Sequence, residues 1–194
     1  MEYMTMSEVK PIIRADELLP DPAAGQSLTA VCHLPYYGKN PIFHPYDRSG
    51  KSRASIPYNC GQYYVAGGLN GGTAAAYLAL CRELKKRTDE DLQNNVIARF
   101  HDESQLNRLV AETPGKFRIL PPDYCTPEET PTGHEAILVL QKSRCINVES
   151  VKGAAKPQNF FQRKWEAFRL NWLPYLWLVR DTLLHRRIDF KNDL

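Results

Sequence analysis

Residues 101–107 read His-Asp-Glu-Ser-Gln-Leu-Asn, and this heptapeptide does most to classify the chain. It places a histidine and two adjacent carboxylates directly after the apolar pentapeptide 96–100, which predicts a buried strand. Carboxylates at a strand end are costly unless they are paired, hydrogen-bonded or used on a substrate. Two interpretations follow. The pair belongs to a binding or catalytic site, or it stabilises the first turn of a following helix through the helix dipole.

A glycine-rich segment, Tyr-Tyr-Val-Ala-Gly-Gly-Leu-Asn-Gly-Gly-Thr at residues 63–73, is the second unusual feature. Four of the six residues 67–72 are glycines, which let a ligand or a neighbouring backbone approach closely. The pattern predicts a strand from Tyr63 to Leu69 that ends in a turn at 70–72. Thr73 then predicts the N-cap of a helix from Ala74 to about Arg87.

The remaining pattern predicts an α/β fold. Leu28 to Cys32, Phe117 to Leu120 and Ala136 to Gln141 have the apolar character of strands, and the short segment from Ile12 to Leu19 predicts a strand or a turn. The helix that follows the heptapeptide is predicted from Gln105 to Glu112, with Asp102 or Ser104 as its cap. A loop-rich stretch from residue 33 to residue 57 is long enough to be functional or disordered.

Composition sets limits on the class of protein. The chain has 194 residues, 43% of them hydrophobic, which suits one globular domain. A net charge of +3 is too small to argue for nucleic acid as a partner. The five cysteines are widely spaced without a Cys-x-x-Cys pair, so they give no support to a zinc or redox motif. Free thiols, the absence of an Asn-x-Ser/Thr sequon and a polar N-terminus predict a cytoplasmic location.

The C-terminal end differs in character, so we divide the chain into a domain at 1–153 and a tail at 154–194. The tail holds all three tryptophans, interleaved with other aromatic, aliphatic and basic residues. Its most apolar run, 170–179, is broken by Pro174 and is far shorter than the ~20 residues that span a bilayer. Two interpretations carry equal weight: peripheral contact with the inner face of the membrane, or packing of the aromatic side chains onto the domain.

Four motifs in a fixed order resemble glycosyltransferase family 6, which includes the blood-group A and B transferases, the α-1,3-galactosyltransferases and bacterial relatives. The first motif begins at Arg48 and ends with Ile56-Pro57-Tyr58. The other three are the glycine-rich segment, the heptapeptide and the pattern Lys116-x3-Leu120-Pro121-x2-Tyr124. They cover about 80 residues. Phe100 and Gln105 stand where the family often has Trp and His, and Ala66 replaces a frequent pocket histidine. The resemblance implies the C-terminal part of a GT-A-type (nucleotide-diphospho-sugar transferase) fold with a helical aromatic and basic tail.

The resemblance also implies a reaction. The complete enzyme is expected to transfer galactose or N-acetylgalactosamine from a UDP-sugar, with retention and in α-1,3 linkage, to a galactosyl acceptor. Glu103 is then the catalytic carboxylate, either as nucleophile or as stabiliser of an oxocarbenium-like transition state. Asp102 is expected to bind donor-sugar hydroxyls. His101 orients a carboxylate or contacts the acceptor, and a structural role for it is nearly as well supported.

Substrate-binding residues are implied for the glycine-rich segment as well. Ala66, Gly67 and Gly68 fall in the family's donor-sugar pocket, where Ala66 and Gly68 occupy the positions that choose between the two sugars. Their small size favours N-acetylgalactosamine weakly, and the alternative role for them is close backbone packing in a strand. His33 falls near a residue that contacts the acceptor in the family.

The alignment leaves the donor half of the family's domain outside the chain. The family's Asp-x-Asp, or the Asn-x-Asn of bacterial members, aligns before Met1, and we expect no counterpart within the chain. We therefore expect a truncated, bacterial-type member that requires no metal and transfers sugar poorly on its own. The rival interpretation is a non-catalytic carbohydrate-binding or membrane-associated remnant.

Overall fold

A computed structural model of the chain describes residues 15–128, 130, 136–137, 139–140 and 160–188. The architecture is mixed α/β, with a small sheet and helices packed against it. In chain order the elements are α1 (Ala15–Leu18), β1 (Leu28–Cys32), β2 (Val65–Gly72), α2 (Ala74–Gln93), α3 (His101–Glu112), β3 (Phe117–Leu120), β4 (Thr126–Pro127), β5 (Val139–Leu140), α4 (Phe160–Asn171) and α5 (Leu173–Leu183). The predicted strands at 28–32 and 117–120 are confirmed at both ends.

Strand β1 is the centre of a three-stranded sheet of order β2-β1-β3. It pairs antiparallel with β2, with a register shift between Ala30 and Val31, and parallel with β3. All five β1 residues are buried, as expected for a strand that is covered on both faces. Strand β2 therefore lies at an edge of the sheet, and its outer backbone groups must find partners elsewhere.

Helices α2 and α3 cover one face of this sheet. Leu106, Leu109 and Val110 follow helical spacing on α3 and are buried against it. The same core cluster contains residues of β1, β2, α2 and β3, namely Leu28, Ala30, Val65, Leu80 and Phe117. Thr73 is the N-cap of α2, as predicted, and its hydroxyl accepts a hydrogen bond from the Ala76 amide at 3.4 Å.

The predicted turn at 70–72 is wrong, because β2 continues to Gly72. Residues 70–72 pair with Ala30, Thr29 and Leu28 of β1, a long-range contact that the local sequence does not reveal. A Cβ atom on Gly72 would lie 2.4 Å from the Ser27 carbonyl oxygen, so glycine is needed for the close approach of the two strands. Helix α2 also runs further than predicted, to Gln93 instead of Arg87.

The predicted strand at 96–100 is wrong as well. The segment is a turn between two helices, and Ile97 is 67% exposed. Helix α3 begins at His101, four residues before the predicted start, and its N-cap is Phe100 instead of Asp102 or Ser104. The Ser104 hydroxyl still contributes, because it accepts a hydrogen bond from the Phe100 amide at 2.9 Å.

Two further predictions are only partly covered by the described residues. Strand β5 occupies Val139–Leu140 within the predicted strand from Ala136 to Gln141, while residues 138 and 141 lie outside the described ranges. Of the segment from 12 to 19, predicted as strand or turn, residues 15–18 form the short helix α1 and residues 12–14 are outside those ranges.

Within residues 160–188, the described part of the tail, the chain forms the two helices α4 and α5. Pro174 lies just after the break between α4 and α5 and is buried in the first turn of α5, where the missing amide proton costs no helical hydrogen bond. Asp181 of α5 accepts a hydrogen bond from the Tyr58 amide at 2.8 Å, and the Tyr175 ring meets Phe43 at 5.6 Å. The tail therefore contacts the loop that precedes β2. Among the described residues, no helix has the length and apolar character needed to cross a membrane.

Candidate active site

The Glu103 carboxylate lies between α3 and the free edge of β2. Its Oε1 accepts a hydrogen bond from the Tyr64 hydroxyl at 2.7 Å, and its Oε2 accepts one from the Gly67 amide at 2.9 Å. The side chain is half-buried. Both carboxylate oxygens thus have a fixed donor, and each retains lone pairs for a further partner. The geometry holds one negative charge in a defined direction.

Asn107, one helical turn further along α3, binds the same edge of β2. Its Oδ1 accepts from the Val65 amide and its Nδ2 donates to the Val65 carbonyl, both at 2.9 Å. Its amide nitrogen also donates to the Glu103 backbone carbonyl at 2.9 Å. Asn107 is 1% exposed, so these bonds form away from water. Its side chain takes the place that a neighbouring strand would occupy.

The spacing of these two side chains matches the strand that they bind. Residues four apart on a helix are separated by about 6 Å along its axis. Residues two apart on a strand are separated by about 6.6 Å and direct their amides to the same edge. Glu103 and Asn107 can therefore bind Gly67 and Val65 simultaneously. This matched spacing explains why α3 carries a glutamate and an asparagine four positions apart where it packs against the glycine-containing strand β2.

Gly67 has a steric reason to be glycine. A Cβ atom built there would lie 3.3 Å from the Glu103 Cβ and 3.5 Å from Oε2. Any side chain would push the helix away from the strand and lengthen the hydrogen bond to the carboxylate. Gly67 therefore positions Glu103.

Tyr64 is the second element that positions Glu103. Its side chain is buried, and burial followed by the hydrogen bond to Glu103 raises the pKa of the phenol above its ordinary value. The hydroxyl thus remains a protonated donor over the neutral range. Its ring packs with the rings of Tyr36 and Tyr46 at centroid distances of 5.0 and 5.5 Å.

His33 belongs to the same aromatic cluster. Its ring lies 5.9 Å from Tyr64 and 5.5 Å from Tyr36, and its backbone amide donates to the Tyr64 carbonyl at 2.8 Å. His44 is also in contact with these rings, 6.1 Å from Tyr64, and burial lowers the pKa of its imidazole. The Tyr64 side chain therefore lies between two residues that the sequence predicted for the site: its ring packs near His33 and its hydroxyl donates to Glu103.

The other predicted residues have different surroundings. Asp102 and His101 lie in the exposed first turn of α3, beside Glu103 in sequence, and His101 has a left-handed backbone with φ of 49°. Gly68 is exposed on β2. Ala66 is buried in a separate apolar cluster with Val31, Leu120, Tyr124 and Cys125. Because neighbouring strand residues face opposite ways, its methyl group points to the other side of the sheet from Val65.

The chain contains one acidic tripeptide of the form Asp-x-Asp. Residues 89–91 read Asp-Glu-Asp, so the expectation that no Asp-x-Asp occurs in the chain is wrong. The tripeptide lies in α2 and its acidic groups have structural partners. Asp91 is buried and accepts hydrogen bonds from the Arg53 amide and the Gln105 side chain, while Asp89 pairs with Lys85. Within the described ranges, no group of three His, Cys, Asp or Glu side chains is arranged to hold a metal ion.

Sequence reasoning did not assign site roles to Tyr64 or Asn107. Both lie in the quoted motifs, but their roles depend on contact between β2 and α3, which are separated by about 40 residues. The available signal was the spacing of Glu103 and Asn107, which places them on one helix face. A buried asparagine beside a strand predicts pairing with backbone groups.

Comparisons with known proteins point to one family. Residues 17–152 match the family model described as glycosyltransferase family 6. Over 99 residues the chain is 34% identical to histo-blood group ABO system transferase 1 of Rattus norvegicus, covering 50% of the chain and 28% of that protein. Over 80 residues it is 34% identical to the O-antigen biosynthesis glycosyltransferase WbnI of Escherichia coli, covering 41% and 34%. Over 105 residues it is 31% identical to globoside alpha-1,3-N-acetylgalactosaminyltransferase 1 of Mus musculus, covering 54% and 30%.

In each of these relatives the match spans about a third of the protein's length. The matched family region includes β2, the Glu103 carboxylate and the helix that carries it. The chain belongs to glycosyltransferase family 6.

Proposed function

We propose that this chain carries the catalytic carboxylate of a retaining hexosyltransferase. The donor is a UDP-sugar, UDP-galactose or UDP-N-acetylgalactosamine, and the sugar is transferred in α-1,3 linkage to a galactosyl acceptor. In this reaction the bond between the anomeric carbon and the UDP oxygen breaks. A bond to the acceptor hydroxyl oxygen forms on the same face of the sugar, and UDP and a proton are released. The observation that carries the proposal is the fixed Glu103 carboxylate.

Glu103 acts on the positive charge that develops at the anomeric carbon. A carboxylate oriented before the reaction stabilises an oxocarbenium-like transition state without reorganisation, and it can also form a covalent bond to the sugar. Tyr64 and Gly67 donate to this carboxylate, so they fix its direction. Asp102, in the exposed first turn of the same helix, binds hydroxyl groups of the donor sugar, and His33 and His101 contact the acceptor.

The fold proposed for the complete protein is of the GT-A type. This chain supplies the sugar-facing part, consisting of the β2 edge and α3. We place the uracil, ribose and diphosphate sites in the part of the relatives that the match does not cover. Metal is not required in this proposal, in keeping with the bacterial members that the sequence resembles.

Donor choice is proposed to depend on Gly68 more than on Ala66. Gly68 is exposed on β2, whereas Ala66 is buried in the apolar cluster that contains Val31 and Leu120. Gly68→Leu should reduce kcat/KM for N-acetylgalactosamine transfer more than for galactose transfer, because the added side chain competes with the acetamido group. An unchanged ratio of the two specificity constants would contradict this assignment. Ala66→Gly serves as the comparison, with little change expected in the ratio.

We propose that the tail also contacts the inner face of a membrane. Tail side chains such as Trp165, Trp172 and Leu176 are more than 60% exposed, and the exposed Lys164 and Arg169 are interspersed with them. Aromatic side chains favour the membrane interface, and arginines favour anionic headgroups. Co-sedimentation of the chain with anionic vesicles, but not with neutral vesicles, is the expected result. Equal recovery with both kinds would refute the contribution of charge.

The proposed reaction is tested by following sugar transfer to a galactosyl acceptor. Two proteins are assayed: the chain itself, and a chimaera in which residues 48–124, which carry the four motifs, replace the corresponding segment of the E. coli relative WbnI. The chimaera supplies the upstream part of a relative, so the carboxylate is tested whether or not the chain turns over alone. Transfer by the chimaera that depends on Glu103 would support the proposal. A folded chimaera whose transfer is independent of Glu103 would favour the rival, a non-catalytic carbohydrate-binding remnant.

A further inference from the structure

A cleft between the loop at 36–48 and the tail helices gathers four positive charges. We name it the junction cleft. Its volume is about 730 Å³, and Lys39, Arg48, Arg99 and Arg169 are among its lining residues. No Asp or Glu side chain is among the described residues that line it. The volume is typical of sites for small molecules. The composition of the lining predicts an anionic ligand.

The charges of the junction cleft are not neutralised by carboxylates within it. The Arg48 guanidinium donates to the backbone carbonyls of Pro41, Ile56 and Pro57, and its buried Nε has no partner. The carboxylate that acts on its charge, Asp181, does not line the cleft. Lys39 and Arg99 lie over the rings of Tyr36 and Phe100, at 5.8 and 5.1 Å.

Arg169 pairs with Glu166 at 3.3 Å, but both side chains of this pair are exposed, so the pair contributes little. Each of the four cations is therefore able to interact with a bound anion. Arginine guanidinium groups also match the oxygen geometry of phosphate.

An apolar surface continues from the junction cleft. We name it the apolar cleft. Its volume is about 680 Å³, and it shares Phe43 and Asn171 with the junction cleft. Its other lining residues come from the tail helices and are all apolar or aromatic: Phe168, Trp172, Tyr175 and Leu176. A cationic cleft that continues into an exposed apolar one is complementary to a molecule with an anionic head and an apolar chain.

The junction cleft is also close to the catalytic carboxylate. Tyr36 lines the cleft, and its ring lies 5.0 Å from the Tyr64 ring. The Tyr64 hydroxyl donates to Glu103. Two aromatic rings therefore separate the cation-lined cleft from the carboxylate.

We propose that the two clefts together bind a phosphate-bearing lipid. The phosphate sits among the cations of the junction cleft, and the apolar chain lies on the apolar cleft. The phosphate carries about −1.5 to −2 charges as a monoester such as decyl phosphate, and one negative charge when it also bears a saccharide. This inference rests on the proposed function only where it identifies the ligand: the galactosyl acceptor is carried on such a lipid phosphate. Binding of the phosphate lipid itself does not depend on transfer.

The test measures binding of decyl phosphate below its micelle concentration to the full chain. Trp177 lines the junction cleft and Trp172 the apolar cleft, so tryptophan fluorescence reports on both, and calorimetry provides the dissociation constant. Decyl phosphate should bind at least tenfold more tightly than inorganic phosphate or decyl maltoside, because neither of these fills both clefts. Lys39→Gln combined with Arg99→Gln should weaken its binding at least tenfold.

The matched control carries the same change of charge away from the clefts. Arg82→Gln combined with Lys85→Gln removes two exposed cations from α2 and should leave the dissociation constant unchanged. Circular dichroism verifies that each variant is folded. Trp172→Ala, followed by calorimetry, should weaken decyl phosphate binding without affecting inorganic phosphate.

Three results would overturn the inference. If inorganic phosphate binds as tightly as decyl phosphate, the ligand is free phosphate and the apolar cleft plays no part. If both double variants weaken binding equally, the effect is one of overall charge. If the chain binds phosphatidylglycerol vesicles but not monomeric decyl phosphate, the tail adsorbs to a charged surface and the clefts hold no single lipid.

The proposed function fails separately. Glu103→Gln should abolish transfer while leaving decyl phosphate binding unchanged, because Glu103 is not among the residues that line the clefts. Transfer that is independent of Glu103 would refute the catalytic assignment and would not affect the binding measurements.

Discussion

Asn107 allows the contact between α3 and β2 to be tested directly. In Asn107→Ala the amide and carbonyl of Val65 lose their partners, and both are buried beside a side chain that is 1% exposed. An unpaired buried polar group costs about 1–3 kcal/mol, so the two together cost about 2–6 kcal/mol. The gain in helix propensity from alanine returns about 0.5 kcal/mol. The expected loss is about 3 kcal/mol, a large share of the ~5–15 kcal/mol that stabilises a typical domain.

The control is a variant at Asn94, because Asn94 forms the same hydrogen bond within its helix as Asn107 but has no hydrogen bond to β2. Asn94 also donates its side-chain amide to the carbonyl four residues earlier, Glu90 at 2.7 Å, but it is exposed and contacts no strand. Asn94→Ala should cost less than about 1 kcal/mol. Urea unfolding followed by circular dichroism gives both free energies. If Asn107→Ala loses no more stability than Asn94→Ala, the argument that α3 completes the edge of β2 is wrong.

Two further predictions concern residues that contact or belong to α3. Gly67→Ala places a Cβ atom 3.3 Å from the Glu103 Cβ. Transfer by the chimaera should therefore fall about tenfold or more, while the free energy of unfolding changes by about 1 kcal/mol; transfer equal to that of the unmodified chimaera would contradict the positioning role. Burial acts to raise the pKa of Glu112, but hydrogen bonds from Arg87 and Arg108 outweigh it and hold the pKa below its usual 4.5. Because the folded pKa is lowered, the stabilisation is present above about pH 4.5 and is lost as the pH falls through the folded value. Unfolding measured across this range should show a smaller acid-induced loss in Glu112→Gln than in the wild type; identical slopes would contradict it.

Local patterns predicted the parts of the fold that depend on local sequence. The strands at 28–32 and 117–120 are short apolar runs, and Thr73 is a capping residue directly before a helix-forming alanine run. The failures lie where distant contacts decide. Residues 70–72 have the composition of a turn, but pairing with 28–30 extends β2 through them. Residues 96–100 have the composition of a strand, yet no strand in the described part of the chain pairs with them, and they link α2 to α3.

The site shows the same division. The family resemblance identified Glu103 from its motif, and the structure places it between Tyr64 and Gly67. The role of Tyr64 could not be predicted, because it depends on a contact across 39 positions of sequence. The donor pocket was inferred residue by residue, whereas the structure separates buried Ala66 from exposed Gly68.

The most direct test of the catalytic assignment is the rate of sugar transfer by Glu103→Gln in the chimaera. Glutamine preserves the shape of the side chain: its carbonyl oxygen can accept from the Gly67 amide, and its nitrogen faces the Tyr64 hydroxyl. The fold should therefore be retained, as judged by circular dichroism. Loss of the negative charge should reduce kcat by about a thousandfold or more, equivalent to about 4 kcal/mol of transition-state stabilisation. A folded Glu103→Gln protein with kcat within a few-fold of the parent would contradict the assignment of Glu103 as the catalytic carboxylate.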